Sequence, residues 1–456
     1  MGYPGERASK INHREIVESE EVRAYLARCE KIPPQIDILN FQDSCIELSQ
    51  ISNQLDSHVE RIVVVDGSYQ EVSINQKFPS YKLCYYIIGI CTFPLKNLET
   101  LENKPTIDHL DIKELENYER FTFVMPMQNI RLEEKDFTTT FRETLYEIFK
   151  ENGLNEGEYS LLDTLKWLVF QEYSSKKGSI KISCWHCEYL NDFSKQIEPY
   201  QNNQNDFQCC PNCQEKVYIT DYLALHTLID EARGATGAQS YIMGVCEVVL
   251  MLSMFRYLFE KEQETQWLPK ILFVKDGPLA LFSRLDNFAS ETVRPFLQFL
   301  YERSLKEHAG YINWIGLDKS GEFVDHVRAL DSKILAESVF LPDLKYIRKY
   351  ITGDRKSAFG ERTYFGIKMF IKTNQSFVLD VAIPFGPNTK YQDYIKEPNI
   401  KDFLTLKNIL EILESLECAM YENSFMPIVM INKIVSLSNI PSKKILEVFS
   451  KERLEK

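Results

Sequence analysis

No apolar run in this sequence approaches the ~18 residues that a membrane-spanning helix requires, so no membrane association is expected. The opening stretch, MGYPGERASKINHREIVESEEV, is polar and holds no apolar segment of the kind a signal peptide carries. Repeats, low-complexity tracts and Gly/Ser-rich linkers are also missing. So is any excess of basic charge: 53 Lys and Arg against 66 Asp and Glu leave a net charge of −13. That balance argues against a general nucleic-acid coat protein, whose affinity comes from phosphate neutralisation. It leaves room for a nuclease, in which metal ions neutralise the site and a local basic strip guides the backbone. Disulfides are not expected either, because most of the eleven cysteines sit singly in apolar runs, as Cys84, Cys91 and Cys246 do. A cytoplasmic protein is the reading these absences support.

What is present is enough chain, 456 residues, to bury a sizeable core in two or three folding units. Two distant segments each run an apolar strand into Asp-Gly: RIVVVDGSYQEV (61–72) and KILFVKDGPLALF (270–282). A buried strand that ends on a carboxylate places it at the rim of a sheet, where a divalent ion can be held. Asp-Gly is also a strong hairpin signal, so it is the repetition of the device that points to Asp66 and Asp276 converging.

Between them GVCEVVLMLSMFRYLF (244–259) reads as a long helix without internal Gly or Pro after its first residue. At about 100° per residue, Glu247 shares a face with Met243, Gly244, Leu250, Met251, Met254 and Leu258, opposite Ser253, Arg256 and Glu260. A carboxylate facing apolar packing is protonated, salt-bridged or metal-bound, because burying it unpaired costs several kcal/mol. Asp66, Glu247 and Asp276 together supply the hard oxygen ligands that Mg²⁺ or Mn²⁺ prefers. Lys275 is assigned no chemistry, because a regular strand points it away from the face of Asp276.

A separate motif is SCWHCEYL (183–190) followed by QCCPNCQEK (208–216). Cys184 and Cys187, with Cys210 and Cys213, form two C-x2-C knuckles at four-cysteine zinc spacing. Four thiolates leave no open coordination position, so the expected Zn²⁺ is structural. Cys209 and His186 are spare donors. A basic strip lies in RKSAFGERTYFGIKMFIK (355–372), with Arg355, Lys356, Arg362, Lys368 and Lys372 among aromatics, and Lys319 offers a further phosphate contact.

The chain order reads as a helical region (1–55) and the first half of an α/β domain (56–150). A helical insertion (151–232) carrying the zinc ribbon (184–213) follows, and then the second half of the domain (233–456). Within it, 14–55 and 218–232 are expected to be helical. Strands are expected at 61–66, 69–74 and 81–93, with a strand pair within 363–383 and a last helix within 425–438. This order specifies a mixed α/β sheet flanked by helices.

Taken together, VVVDGS (63–68), the glutamate helix, DGPLALF (276–282) and GLDKSGEFVDHV (316–327) resemble the NurA nuclease family, over roughly residues 55–440 minus the insertion. The resemblance implies a ribonuclease H-like core with Asp66, Glu247 and Asp276 as catalytic metal ligands. It implies a Mn²⁺-dependent DNA nuclease that degrades ends 5′→3′ and cuts single strands. It also implies a homodimer working with a hexameric HerA-type ATPase, in DNA-end processing or defence against phage. Two ions ~4 Å apart would clamp the scissile phosphate in such a centre. One departure stands out: Asn432, in MPIVMINKIV (426–435), occupies the place of the family's histidine. Asparagine can offer a carbonyl oxygen to a metal but cannot carry a proton. The competing readings are a non-catalytic adaptor of the ATPase and a related enzyme acting on RNA.

Overall fold

In the computed structural model the described residues are 10–29, 42–97, 117–194, 206–307, 311–353, 359–383, 391–417, 425–437 and 442–454, less positions 54, 56–57, 76, 156, 175–177, 231 and 262–264. Nine strands form one mixed sheet: β1 (Ile46–Glu47), β2 (Arg61–Asn75), β3 (Phe78–Pro94), β4 (Asn117–Gln128), β5 (Ile271–Asp276), β6 (Asn313–Asp318), β7 (Ser338–Phe340), β8 (Gly366–Lys372) and β9 (Ser376–Ala382). Their order across the sheet is β1-β7-β8-β9-β6-β5-β2-β3-β4. β2, β3 and β4 are an antiparallel meander, and β5 and then β6 continue parallel to β2. That five-stranded pattern is the expected ribonuclease H-like sheet, extended here by antiparallel β9, β8, β7 and β1.

Alternation along the strands gives the sheet two buried faces. Val63, Val65 and Phe273 pack into one core with the long helix α1 (Gln239–Lys261). Ile62, Val64, Leu272 and Val274 pack into the other with α2 (Met426–Val435). Strands covered on both faces read as continuous apolar runs, which is how RIVVV and ILFV appear in the sequence.

Several expectations are corrected. Asp66-Gly67 is neither a turn nor a strand end, for β2 runs unbroken through both and pairs Asp66 with Gly89. The expected strands 61–66 and 69–74 are therefore one. Residues 45–53 are not helical: Ile46–Glu47 is the edge strand beside β7, and Leu48–Gln50 is a 3₁₀ turn. The helix expected over 218–232 is two short 3₁₀ turns joined at Ala224, whose φ of 52° breaks the helical path. Of the polar residues opposite Glu247 on α1, Ser253 is fully buried and hydrogen-bonded to Thr164 of the helix Leu161–Val169, while Arg256 and Glu260 are partly exposed and paired with each other. By length and composition the stretch Thr236–Glu260 could cross a membrane. Here it is the helix on which the core beside β2 and β5 is built.

Candidate active site and metal centre

Parallel pairing of β5 with β2 sets Lys275 opposite Val65. One step further along both strands, Asp66 and Asp276 stand level on neighbouring strands, ~5 Å apart in the backbone. Both point to the face that carries α2, and Asn432 of that helix lines the same cavity of about 530 Å³. The close seating of α2 needs Gly89, where a Cβ would lie 2.7 Å from Val435 Cγ1.

Glu247 reaches this cavity from the opposite face of the sheet. It can do so because residue 67 is glycine: a Cβ there would sit 3.0 Å from Met243 Cγ and 3.1 Å from Glu247 Oε1. Lys275, on that same face, ion-pairs with Glu247 Oε2 at 3.0 Å and donates to the Asp276 carbonyl at 2.9 Å. Lys275 does point away from the Asp276 side chain, as strand alternation requires. It belongs to the site because Glu247 comes from its side, and sequence reasoning missed that role. Lys319 closes the other end, 2.5 Å from Asp276 Oδ2.

Asp66 is left as the strained member. Its Oδ1 accepts from the Gly67 amide at 2.8 Å, while its Oδ2 is buried without a partner. Burial first, then the charges of Asp276 and Glu247, push its carboxyl up to about 8. Burial likewise raises Glu247, with Lys275 pulling it back. Burial works against the charge of Lys275, but Glu247, Asp276 and Asp66 outweigh it and its pKa goes up.

The three carboxylates thus share one cavity and feel one another, with lysines between them. Among the described residues the set whose ligand atoms all lie within 4.8 Å is not this one but Cys184, Cys187, Cys210 and Cys213. A divalent cation suits the carboxylate site on two observations: an orphaned buried oxygen on Asp66, and a carboxyl there that burial and the neighbouring charges of Asp276 and Glu247 push up.

The loop after Asp276 folds back across the sheet. Gly277, at φ +94°, donates to the Leu317 carbonyl at 2.7 Å. Leu279 then lies over Gly316 and Gly366, where no side chain obstructs it, and its amide donates to Asp380 at 2.9 Å. Asp380 and Asp318 sandwich Lys368, at 3.0 and 2.6 Å. Lys368 is therefore buried, and the reading that placed it in a basic surface strip is corrected: on a doubly covered strand its ammonium faces these carboxylates and the rings of Phe323 and Tyr364. Arg362 is at the surface but engaged with Asp286 and Glu291, at 3.3 and 2.9 Å. Lys372 pairs with Asp331. Arg355 and Lys356 lie outside the described residues.

The cysteine knuckles are built alike. In each, the first Cys amide donates across the knuckle to the carbonyl of Tyr189 or Glu215 at 2.8 Å, and the knuckle turns through a left-handed residue, Glu188 or Gln214. Sγ atoms approach to 3.6 Å for Cys184–Cys213 and for Cys187–Cys210. Cys209 is exposed and His186 packs against Trp185, so neither joins the cluster. Beneath it lies a residue the sequence did not disclose. Arg142, fully buried on the helix Phe137–Glu151, bonds Asp221 Oδ1 at 2.9 Å and the Lys216 carbonyl at 2.6 Å. Its guanidinium lies over the rings of Trp185 and Tyr218.

A family model described as the NurA domain matches residues 60–383. Among solved structures, the NurA nuclease from Sulfolobus solfataricus aligns over 98% of both chains, at 10% identity and a TM-score of 0.35. No curated protein matches the chain.

Proposed function

The chain belongs to the NurA family, and from that premise we propose that it is a divalent-metal-dependent DNA nuclease that hydrolyses phosphodiester bonds. The observation that carries this reading is the unpartnered buried oxygen of Asp66, level with Asp276 and in one cavity with Asp276 and Glu247. Asp66, Glu247 and Asp276, with the Asn432 carbonyl oxygen, would hold Mn²⁺ or Mg²⁺. A bound ion would supply an acidified water and neutralise charge on the scissile phosphate.

The chain's own residues do the rest. Asp66 offers an unpartnered carboxyl oxygen at the centre of the sheet, its other oxygen fixed by the Gly67 amide. Lys319, a third exposed at the cavity mouth, is placed to meet a phosphate oxygen once it leaves Asp276. Asn432 accepts or donates a hydrogen bond there but moves no proton. The ribbon cysteines hold Zn²⁺ as a structural staple. The family's properties extend the proposal to 5′→3′ exonuclease and single-strand endonuclease activity, a homodimer, and a HerA-type hexameric ATPase as partner. A cytoplasmic role in DNA-end processing or phage defence goes with them.

The test is cleavage of matched DNA and RNA substrates with Mn²⁺, with Mg²⁺ and with chelator. Wild-type protein is expected to digest DNA only with a divalent ion, and Asp66→Ala and Asp276→Ala to lose that activity while keeping the wild-type circular dichroism. Parental rates in either variant would overturn the site. An inert wild-type chain would leave the adaptor reading, and cleavage confined to RNA the ribonuclease one.

A further inference from the structure

We propose that Asp318 is a fourth carboxylate of the metal centre, with Oδ1 a ligand to a divalent cation and Oδ2 held in place by Lys368. The proposal rests on the nuclease reading and adds to it a ligand from a third strand.

An apolar strand that leads into a carboxylate occurs a third time in this chain, for YINWIGLD (311–318) runs into Asp318 as RIVVVD and KILFVKD run into Asp66 and Asp276. Asp318 ends β6, which sets Leu317 opposite Asp276 of β5. The backbones of Asp276 and Asp318 are therefore roughly 6 Å apart. Ile315 and Leu317 pack into the core with α2, so alternation turns Asp318 to the other face, the one from which Glu247 arrives. All four acids line the one cavity. Asp66 and Asp276 enter it from the α2 side of the sheet, Glu247 and Asp318 from the α1 side.

Among the described residues, two buried carboxylate oxygens lack a hydrogen-bond partner, Asp66 Oδ2 and Asp318 Oδ1. Both belong to residues of this cavity. The side chain of Asp318 is only 8% exposed, and an idle oxygen on a buried carboxylate is destabilising until something occupies it. Neutralising Lys368 does not account for Asp318. Asp380 already meets that ammonium with both oxygens, at 3.0 and 3.1 Å, and its Oδ2 also accepts from the Leu279 amide. Asp318 gives Lys368 one oxygen only, at 2.6 Å. Lys368 is itself buried, with its ammonium over the rings of Phe323 and Tyr364, so it fixes Oδ2 and leaves Oδ1 as the free ligand. A carboxylate oxygen held from behind at the rim of an acidic cavity is the hard ligand that Mn²⁺ or Mg²⁺ takes.

The experiment is a calorimetric Mn²⁺ titration of the full chain without DNA, its ribbon first loaded with one equivalent of Zn²⁺, in wild type, Asp318→Asn and Asp380→Asn. Each variant removes one carboxylate from Lys368, but of the two residues only Asp318 lines the cavity. Asp318→Asn is expected to weaken Mn²⁺ binding by about tenfold or more, and Asp380→Asn to stay within about threefold of wild type. Wild-type affinity in a folded Asp318→Asn overturns the proposal. Equal losses in both variants overturn it too, because they would mark a charge effect spread through Lys368. Crystals of the wild-type chain soaked in Mn²⁺ decide the point if either variant fails to fold. Anomalous scattering should place an ion about 2–2.5 Å from Asp318 Oδ1. An ion on Asp66 and Asp276 with Asp318 unliganded overturns this proposal and leaves the nuclease reading standing. A cavity that takes up no Mn²⁺, or DNA cleavage that persists in chelator, sinks the metal-nuclease reading and the proposal with it.

Discussion

Asp66 and Glu247 were visible in the sequence for different reasons, and those reasons bound what single residues can disclose. Glu247 stood out because helical periodicity placed a charge among methionines and leucines, an arrangement that needs a partner wherever it occurs. The partner itself, Lys275, could not be found that way, since its role depends on which face of the sheet the helix covers. Lys368 misled for the same reason: a lysine among aromatics reads as a surface contact until β8 is found buried on both sides, with Asp318 and Asp380 as its counterions. The raised carboxyl of Asp66 yields a prediction with a definite sign. Its folded pKa, about 8, lies above the ordinary value of ~3.9. The stability it contributes is therefore full below that ordinary value and is lost as pH rises through about 8. Metal-free protein should fall in melting temperature across that range, by an amount worth several kcal/mol at most. Asp66→Asn, neutral throughout, should flatten this part of the profile, and Mn²⁺ should offset it by binding the anion. An unchanged slope in Asp66→Asn, measured by thermal melts in chelator, would contradict the assignment. Gly67→Ala tests the neighbouring contact. Its added methyl group meets Ile88, Met243 and Glu247, and should cost about 1–3 kcal/mol in stability. It should also lower activity, and full activity would mean that Glu247 has room to spare.

At the scale of elements, local pattern served well where one period dominates and failed where tertiary contacts set the path. The strand pair β8–β9 and the helix α2 were legible in this way. Asp66-Gly67 was not, because the same dipeptide that favours a hairpin turn also suits a central strand where a helix side chain must pass close by. The stretch 218–232 carries a helical pattern, yet Asp221 is drawn to Arg142 and to the Tyr218 amide, and the chain bends at Ala224. The knuckles were legible because metal spacing depends on covalent distances along the chain and little on what packs around it. Replacing both Cys184 and Cys187 by Ser should abolish stoichiometric zinc in elemental analysis and lower the melting temperature. The main sheet, which the ribbon does not enter, should keep its circular dichroism. Zinc content equal to wild type would discard the four-cysteine site.

Across the whole molecule, the two halves of the site are joined only after the insertion has been made. β2 to β4 come before it and β5 to β9 after it, so the pairing of β2 with β5 closes a long loop in the chain. Such a closure is entropically expensive unless the intervening segment is itself compact. Arg142 is the residue that ties that segment together, and nothing in its sequence surroundings marks it, because its ligands come from positions 216 and 221 beyond the ribbon. It links the helix after β4 to both the ribbon rings and the 3₁₀ turn that leads towards α1. A buried pair of this kind contributes little compared with apolar residues of equal shape, but removing one partner leaves the other charge stranded. Arg142→Met should therefore cost about 3–5 kcal/mol, and the double variant Arg142→Met/Asp221→Leu should recover a large part of that loss. Urea melts of the two variants measure the coupling. If the insertion organises the closure of the sheet, Arg142→Met should also slow refolding more than Gly67→Ala does at matched stability, since its contact would be formed before β5 meets β2. Equal refolding rates, with the whole loss in unfolding, would place the clamp after that step.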